Sequence, residues 1–509
     1  METTQEQTID PAMEGLEPKK VWEFFDAITQ IPRNSGKEDQ MIDSLINWAL
    51  THDFELVKDT AGNLCIKVPA TPGHENVAPV CLQCHADMVC VKEPDSTHNF
   101  ETDPIQLKRG QREGRDVLQA DKTTLGADNG IGIATAMAIA EDAEAVHPPL
   151  EILITVHEED GCEGAKKLDA SFLGMKSTRI LNLDSEDTGE TTVSSAGLQK
   201  VIGSEALFRR DSVDDFKEGD KYYEISISGM PGGHSGADIH KNRGNAILLL
   251  GEFLDKLRGH MHLVSFDGGQ AHNAIPKDAR AIVMIPTGPF MQGVVMDMAL
   301  LNEKLQQQWP TAKMTMVEKA EEEIRVGLIL IGIHAEVLKA LKDVPNGMIE
   351  MNPAVPGLTQ TSSNLGKIET GKDKIELTFS VRSSINAKMG EVVEQIVQVL
   401  KRNNFDVEKG DPMPGWDGDP ECELVKRVNA AYEAVAGASS KTVGIHAGLE
   451  TGYLVTKLGE KLGGKVDAVS IGPTIKNPHS PDEYIDIGSV EIFYRQLKEA
   501  LRLLATEEV

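Results

Sequence analysis

Short apolar runs that each end in ionisable residues are the feature that most constrains how this chain folds. The runs VCLQCHAD, LEILITVHEE and RILNLD end at His85 and Asp87, at Glu158-Glu159, and at Asp184. Apolar runs without polar alternation predict strands that are buried on both faces. Helical segments between them, such as 131–140, predict an α/β layered domain. Because ligands gather at the carboxyl ends of such strands, we expect these side chains to form one site.

The pattern of buried strands and helices stops near residue 203 and resumes near residue 388. Between these points, Tyr222–Ser228 alternates like a half-exposed strand, and a helix is expected over Asn245–Arg258. One-sided strands flanked by helices indicate an α+β fold. The sequence therefore predicts one α/β domain built from residues 1–203 and 388–509, interrupted by an inserted α+β domain over residues 204–387.

Charge and composition exclude several classes of partner. The chain has 80 acidic and 51 basic residues, for a net charge of −29. Such a field repels nucleic acid and anionic membranes, so neither is expected as a partner. The N-terminal segment METTQEQTID has neither the basic region nor the apolar core of a secretory signal, and we expect a cytoplasmic protein. Six cysteines in 509 residues are too sparse for a disulfide scaffold.

The ionisable residues at the predicted strand ends suit a pair of metal ions. Asp128 follows a glycine-rich segment at the start of a helix, and His479 lies in NPHSPDEY near the C-terminus. Zinc binds imidazole nitrogen and carboxylate oxygen, and two histidines with three carboxylates can hold two ions if one carboxylate bridges them. One residue of the Glu158-Glu159 pair can then bind metal while the other takes a proton. Asp87 shares a strand face with His85 and can orient its imidazole.

Each motif also has another interpretation. Taken singly, the acidic clusters are typical of solvated turns. CLQCH at residues 81–85 matches the c-type haem attachment pattern, but that chemistry requires export. The same two cysteines have no second CxxC with which to hold structural zinc. The glycine-rich segment over residues 126–132 has neither GxGxxG spacing nor a Walker lysine.

Two residues of the predicted insert can contact a substrate. His234, in PGGHSG, can donate a hydrogen bond to a developing oxyanion, although a histidine in a turn is more often structural. Arg382, at the end of IELTFSVR, can bind a carboxylate through two hydrogen bonds, although spacing alone favours a surface salt bridge.

Seven segments together resemble a known enzyme family. They are LQCHADMV, DKTTLGADNGIGIA, TVHEEDGCEGA, ILNLDSED, PGGHSGADIHKNRGNA, HAGLETG and IGPTIKNPHSPDE, and they run in order from about residue 80 to 483. The chain resembles the di-zinc aminoacylase and carboxypeptidase-like metallopeptidase superfamily, and most closely its aminoacyl-histidine dipeptidase branch. The resemblance implies a zinc-peptidase-like catalytic domain with an inserted lid. A homodimer formed through the lid and a monomer both remain open.

The resemblance also implies roles for individual residues. Asp128 would bridge two zinc ions, with His85 and Asp184 at one site and Glu159 and His479 at the other. The remaining roles are Glu158 as general base, Asp87 as the residue that orients the imidazole, and, as substrate contacts, His234, Asn273, Arg382, His446 and Glu450.

The reaction implied is hydrolysis of dipeptides with a free N-terminus, Xaa-His and others, by a zinc-activated water. Manganese or cobalt can replace zinc in carboxylate-rich sites. Two alternatives stay open: a related di-zinc enzyme acting on N-acyl amino acids or longer peptides, and an inactive metal- or peptide-binding relative.

Overall fold

A computed structural model describes residues 9–210, 220–285, 288–320, 324, 328–329 and 331–506. The chain forms two compact units. The first unit comprises Met1–Ser194, Trp416–Gly444 and Leu449–Val509, and the second comprises Ser195–Gly415 and Ile445–Gly448.

The helices and strands follow in chain order. The helices are α1 (Lys19–Thr29), α2 (Asp39–Thr51), α3 (Ala127–Glu141), α4 (Glu163–Lys167), α5 (Ala246–Leu257), α6 (Pro289–Gln308), α7 (Ile331–Asp343), α8 (Asn386–Arg402), α9 (Glu423–Ala436), α10 (Thr451–Leu462) and α11 (Ile487–Ala505), with a short 3-10 helix at Ile239–Lys241. The strands are β1 (Glu55–Lys58), β2 (Leu64–Val68), β3 (Val80–His85), β4 (Leu107–Arg112), β5 (Arg115–Ala120), β6 (Leu150–Thr155), β7 (Arg179–Asn182), β8 (Glu190–Ser195), β9 (Gly197–Ala206), β10 (Arg209–Arg210), β11 (Lys221–Ser228), β12 (Gly233–His234), β13 (His262–Gly268), β14 (Ala274–Ile275), β15 (Ala279–Ile285), β16 (Lys313–Lys319), β17 (Leu328–Ile329), β18 (Gly347–Met351), β19 (Thr359–Thr370), β20 (Lys374–Ser383), β21 (Asp406–Lys409), β22 (Trp416–Asp417), β23 (Lys441–Ile445), β24 (Asp467–Ser470), β25 (Ile475–Lys476) and β26 (Tyr484–Asp486).

The first unit is built on a mixed sheet with strand order β1-β2-β6-β3-β7-β24-β8-β22, to which β23 adds beside β8. The four central strands β6, β3, β7 and β24 run parallel. Every residue of β3 and β6 is buried, which explains why their sequences lack polar alternation. A second, antiparallel sheet in this unit has the order β25-β26-β5-β4.

Helices cover the parallel strands and contribute large apolar side chains to the core of the first unit. Trp22 and Phe25 of α1 are fully buried, and α1 packs against α3, which in turn contacts β3. Helix α3 is buried on almost all sides because alanine, glycine and isoleucine fill it. Each large apolar side chain buried in this way stabilises the fold by about 1.5–3 kcal/mol. Across the described residues, no helix is both long and apolar enough to cross a membrane.

The second unit is an antiparallel sheet with helices packed against it. Its strand order is β16-β11-β15-β13-β19-β20-β9-β21, with β18 beside β19. Helices α5 and α8 pack on this sheet, and α7 packs on α5 and β13. Apolar residues of these helices and of the sheet, including Phe253, Phe266 and Phe379, form one buried core.

The second unit is longer than the predicted insert of residues 204–387, because strand pairing extends beyond that range. Strand β9 pairs with β20 from Gly197 to Ala206, and β21 then pairs with β9 on its other side. Helix α8 lies against β9 as well. These hydrogen bonds tie the flanking residues 195–203 and 388–415 to the second unit.

A buried carboxyl group in the second unit predicts a pH-dependent stability. Glu205 on β9 is 7% exposed, and its Oε2 has no hydrogen-bond partner within the described part of the chain. Burial, together with the neighbouring Glu336, raises the pKa of Glu205 to about 8. The folded state therefore favours the protonated form, and the stability that this group contributes falls as pH rises from its ordinary pKa range towards 8.

We expect Glu205→Gln to flatten this decline and to stabilise the protein at pH 8 by about 1–3 kcal/mol, since the amide cannot ionise. Denaturant unfolding of both proteins between pH 5 and pH 8.5 measures the effect. Glu408→Gln on neighbouring β21 is the control, because Glu408 is exposed. Parallel pH curves for wild type and Glu205→Gln would contradict the prediction.

Candidate metal centre and active site

The parallel strands bring the ionisable residues to one edge of the sheet. His85 is the last residue of β3, and Glu158 and Glu159 follow the end of β6. Asp184 follows β7, and His479 lies between β25 and β26, in the segment that follows β24 along the chain. Because β6, β3, β7 and β24 are adjacent and parallel, their carboxyl ends lie side by side.

Asp128 enters this edge from a break at the start of α3. Its backbone, with φ −77° and ψ 109°, is extended rather than helical, and the peptide bond to Asn129 is cis. The Asn129 amide donates to Leu183 O at 2.8 Å, which ties the break to the segment that carries Asp184. The side chain of Asp128 therefore leaves the helix and joins the strand ends.

Two buried residues hold the loop before Asp128, and the sequence analysis assigned a role to neither. The Glu483 carboxylate accepts hydrogen bonds from the backbone N–H groups of Leu125 at 2.7 Å and Ala127 at 2.9 Å, among others. The Arg33 guanidinium donates to Gly126 O and to Asp87 O, the latter at 2.7 Å. Glu483 is the last residue of IGPTIKNPHSPDE, one of the segments that resemble the family, so the sequence contained a signal that could have identified it. Nothing in the sequence around Arg33 indicates its contacts.

One group of ligand atoms contains His85, Asp128 and Asp184. His85 Nε2 lies 3.0 Å from Asp128 Oδ1 and 3.4 Å from Asp184 Oδ1. The His85 side chain is buried, and Asp184 Oδ1 is buried without a hydrogen-bond partner among the described residues. These three atoms lie within 4.8 Å of one another, as the ligands of a single ion do.

A second group contains Asp128, Glu159 and His479. His479 Nε2 lies 3.2 Å from Asp128 Oδ2 and 3.1 Å from Glu159 Oε2. Asp128 therefore offers one carboxylate oxygen to each group. The structure brings ligand atoms of these five residues together in two sets that share Asp128. The assignment of the two sets to two metal ions stays a prediction.

Glu158 and Asp87 lie beside these groups. His85, Glu158 and Glu159 also have ligand atoms within 4.8 Å of one another. Asp87 Oδ1 accepts the Glu158 N–H at 2.9 Å and Oδ2 accepts the Glu159 N–H at 3.1 Å. The same carboxylate lies 3.4 Å from His85 Nδ1, so one side chain fixes both the imidazole and the glutamate pair.

The electrostatics of the site call for cations. Hydrogen bonds that the His479 imidazole donates to the carboxylates of Asp128 and Glu159 raise the pKa of His479 to about 11. Burial raises the pKa of Glu158 to about 6, and it raises that of Asp184 well above its ordinary value. Carboxylates crowded in a buried site are stable only beside positive charge, which the protonated imidazoles supply here and which divalent cations would supply in their place. The donor set, its spacing and its unpartnered buried oxygens fit divalent metal ions.

The strand-end geometry depends on a glycine after β24. A Cβ at Gly472 would lie 1.7 Å from Ser185 O, next to Asp184. We expect Gly472→Ala to push these segments apart, to destabilise the fold by about 1–3 kcal/mol and to weaken metal binding. Thermal unfolding and metal content after dialysis measure both effects. Gly464→Ala is the control because its Cβ would meet no atom within 4 Å, and equal behaviour of the two variants would refute the argument.

Four of the expected substrate contacts lie in the second unit. Arg382 is 5% exposed on β20, and no carboxylate pairs with it among the residues described, while burial lowers its pKa to about 10. His446 Nε2 lies 2.7 Å from Ser362 Oγ. Burial and Arg382 lower the pKa of His446 to about 3 and also lower the pKa of His234. Asn273 is exposed on the turn before β14.

His234 is held as a neutral donor. Its Nδ1 accepts the backbone N–H groups of Gly236 at 3.2 Å and Ala237 at 3.1 Å. A neutral imidazole that accepts at one nitrogen carries its proton on the other. Nε2 of His234 is therefore a hydrogen-bond donor.

Glu450 differs from the other four expected substrate contacts. It belongs to the first unit, is 1% exposed, and accepts hydrogen bonds from Gln83 Nε2 and Thr155 Oγ1, both at 2.7 Å. Its role as a substrate contact stays a prediction, and in this structure its carboxyl group is enclosed by side chains of β3 and β6.

Comparisons with known proteins find relatives along nearly the whole length of this chain. The family described as "Peptidase family M20/M25/M40" matches residues 81–503. The cytosol non-specific dipeptidase of Escherichia coli (strain K12) is 34% identical over 503 residues, which cover 96% of this chain and 98% of that protein. The crystal structure of aminoacylhistidine dipeptidase from Vibrio alginolyticus superposes with a TM-score of 0.88 at 35% identity, covering 96% of this chain and 98% of that one.

Aminopeptidase PepT from Bacillus cereus ATCC 10987, at a TM-score of 0.59 and 16% identity, covers 96% of this chain and 100% of its own, and shares the fold. The expected α/β zinc-peptidase-like fold is thereby confirmed. The match over residues 81–503, with a relative 34% identical along nearly the whole length, shows that this chain belongs to the peptidase family M20/M25/M40.

Proposed function

We propose that this chain is a metal-dependent dipeptidase that hydrolyses the peptide bond of dipeptides with a free N-terminus, Xaa-His and others. The observation that carries the proposal is the pair of ligand groups that share Asp128, with Glu158 beside them. The dipeptidases of Escherichia coli and Vibrio alginolyticus, which are 34% and 35% identical to this chain, support the substrate class through their names.

Two zinc ions fit the site best, with His85, Asp128 and Asp184 holding one and Asp128, Glu159 and His479 the other. Mixed imidazole and carboxylate ligands are typical of catalytic zinc, and manganese or cobalt can also bind such oxygen-rich sites. When bound, the metal pair polarises the scissile carbonyl and lowers the pKa of water towards ~7.

Glu158 is the group that moves the proton. It is near both ligand groups, and a carboxyl pKa of about 6 lets it accept a proton from the attacking water and return it to the leaving amine. The Cys162 thiol donates to Glu158 Oε1 at 3.3 Å, which leaves Oε2 for this exchange. The Asp87 carboxylate accepts the backbone N–H of Glu158, which keeps Glu158 in place, and it orients the His85 imidazole.

Residues of the second unit suit recognition of the substrate's charged end and carbonyl. Arg382 is a buried cation without a carboxylate partner in the described structure, and the carboxylate of a dipeptide supplies one. His234 donates through Nε2 to the carbonyl oxygen on which negative charge develops. His446, held by Ser362, and the exposed Asn273 are further contacts in this proposal.

Arg382→Met should raise KM for dipeptides at least about 30-fold, since truncating one partner of a buried charged pair costs about 2–5 kcal/mol. Steady-state kinetics measure the change, and dipeptide amides, which lack the carboxylate, should show a much smaller one. Arg402→Met, at an exposed position on α8, is the control. An equal loss for acids and amides would exclude carboxylate recognition.

The function is tested with a panel of Xaa-His, Xaa-Gly and N-acetylated dipeptides, with zinc, manganese or cobalt added or removed. Metal-dependent cleavage of free dipeptides alone supports the proposal. Cleavage of the acetylated substrates favours the alternative that the chain is a related enzyme acting on N-acyl amino acids. Metal binding without turnover favours the inactive relative.

The partners and location follow from the same proposal. Small peptides are the partners, and the net charge of −29 disfavours nucleic acid and anionic membranes. The word "cytosol" in the name of the Escherichia coli relative supports a cytoplasmic location. A homodimer is an open alternative to a monomer.

A further inference from the structure

The turn that carries Glu158 and Glu159 is held through three consecutive backbone N–H groups. Asp87 accepts the N–H groups of Glu158 and Glu159, at 2.9 and 3.1 Å. The N–H of the preceding residue, His157, donates to Glu38 Oε1 at 3.0 Å. Carboxylates from two distant segments therefore fix the backbone at Glu158 and immediately before it.

The side chain of Glu38 is turned away from its own helix. Glu38 is the residue immediately before α2, a position at which side chains usually accept N–H groups of the helix that follows. Among the described residues, the Glu38 side chain accepts no N–H of α2. It is 6% exposed, and its Oε1 accepts the N–H of Gly36 at 2.7 Å as well as that of His157. Glu38 thus joins the start of α2 to a turn that lies 119 residues further along the chain.

The segment before Glu38 is itself fixed beside the end of β3. Asn34 pairs with Met88 in an isolated parallel bridge. The Ser35 hydroxyl donates to Asp87 Oδ2 at 2.7 Å, which is the oxygen that also accepts the Glu159 N–H. Because its neighbours are anchored in this way, Glu38 is a fixed support for the turn rather than a side chain that follows its movement.

The residue that Glu38 holds has an unfavourable backbone conformation. His157 has φ 54°, in the left-handed region that residues other than glycine rarely adopt. Such a conformation persists only where surrounding contacts enforce it. His157 lies two residues after the end of β6, and its backbone sets the direction in which the chain enters Glu158. A change in this one residue would therefore move the Glu158 carboxylate.

Glu158 depends on such support more than its neighbour Glu159 does. Glu159 belongs to one of the two ligand groups that share Asp128, so a bound ion also holds it, whereas Glu158 belongs to neither of these groups. Its own side chain accepts a hydrogen bond from the Cys162 thiol at 3.3 Å. Misplacing a catalytic group by about 1 Å can lower a rate by about 10²-fold, so the backbone that carries Glu158 has to be held accurately.

We propose that Glu38 is a positioning residue for Glu158. By accepting the His157 N–H, it holds the left-handed backbone at His157 and so directs the Glu158 carboxylate. This inference rests on the proposed function, because that function assigns Glu158 as the base.

Kinetics of two Glu38 variants test the proposal. Glu38→Met removes the acceptor and should lower kcat for the best dipeptide by about 10–100-fold, with KM within about twofold. Glu38→Gln should recover most of that loss, because both hydrogen bonds go to Oε1 and an amide oxygen can accept both. A Gln variant as impaired as the Met variant, or a change in KM rather than in kcat, would overturn the proposal.

Glu151→Met is the matched control. Glu151 is another buried carboxylate of the first unit, 4% exposed, and it accepts the N–H groups of Lys176 at 2.7 Å and Ser177 at 3.1 Å. It lies near the start of β6 rather than at its end, so its loss should lower the melting temperature but leave kcat unchanged. Equal kcat in the two Met variants would show that Glu38 serves the fold alone.

Hydrogen exchange provides a readout that does not depend on turnover. The backbone amides of residues 157–159 should exchange at least about tenfold faster in Glu38→Met than in wild type or in Glu151→Met. Metal content should stay at the wild-type level, because every ligand is still present. Unchanged exchange, or a loss of metal that parallels the loss of kcat, would overturn the proposal.

Two further outcomes are covered by the same design. If Glu38→Met does not fold, Glu38→Asp replaces it, because its carboxylate is one methylene shorter, and it should lower kcat and speed exchange in the same direction. If wild type itself cleaves no dipeptide, the proposed function fails, while the exchange of the His157 amide still tests whether Glu38 holds the turn.

Discussion

Glu158→Gln is expected to lower kcat by about 10²–10⁴-fold while the protein keeps its metal. The amide has nearly the shape of the carboxylate but cannot accept a proton, and general-base catalysis contributes a factor of this size. Glu158 belongs to neither of the two groups that share Asp128, so the ligands of both remain. Stopped or continuous assays of dipeptide hydrolysis measure kcat. Metal analysis of the same samples measures the metal content.

The neighbouring Asp160 provides the control for Glu158→Gln. Asp160 is on the same turn, and its exposed carboxylate pairs with the His157 imidazole at 3.2 Å. Asp160→Asn changes the local charge by the same amount and should leave kcat within about twofold, because exposed ion pairs contribute about 0–1 kcal/mol. Near-normal turnover of Glu158→Gln with full metal content would remove Glu158 from the role of base.

Asp128→Ala is expected to abolish both metal sites together and, with them, activity. Asp128 Oδ1 lies 3.0 Å from His85 Nε2 and its Oδ2 lies 3.2 Å from His479 Nε2, so a single truncation removes a ligand from each group. Even residues that only orient ligands change metal affinity by 10–100-fold, and we expect at least about 100-fold for a shared ligand. Metal content by mass and titration calorimetry with zinc measure the loss.

Asp184→Ala is the matched comparison for Asp128→Ala. Asp184 belongs only to the group with His85, so its removal should weaken one ion and leave the site of Glu159 and His479 occupied. The two variants therefore distinguish a ligand that both metal sites share from a ligand that belongs to one site only. Equal metal loss in both variants, or one tightly held ion in Asp128→Ala, would contradict the bridging role of Asp128.

Much of the first unit could be predicted because its strands have a strong local signature. Strands β3 and β6 are buried on both faces, so their sequences are continuously apolar, and the first polar residues after them mark the edge where ligands gather. The order of the motifs along the chain then identified the family. Neither inference needed knowledge of which strands are neighbours.

The extent of the second unit and the contacts of Glu450 could not be predicted, because both depend on pairing between distant segments. The sequence assigns residues 197–203 to the first domain, whereas in the structure they belong to β9 and pair with β20, more than 170 residues away. Glu450 lies in a motif that resembles a substrate-binding segment, yet it is bonded to Gln83, 367 residues away.

What the sequence determined by itself is thus the class of fold, the family and the identity of the residues at the strand ends, since these follow from local burial and from the order of motifs. The tertiary structure alone decided which distant side chains are bonded to one another: Arg33 and Glu483 hold the loop before Asp128, and Glu450 accepts a hydrogen bond from Gln83. The physical reason is that a hydrogen bond is set by positions in space, and each of these contacts joins segments that only the folded sheet brings together.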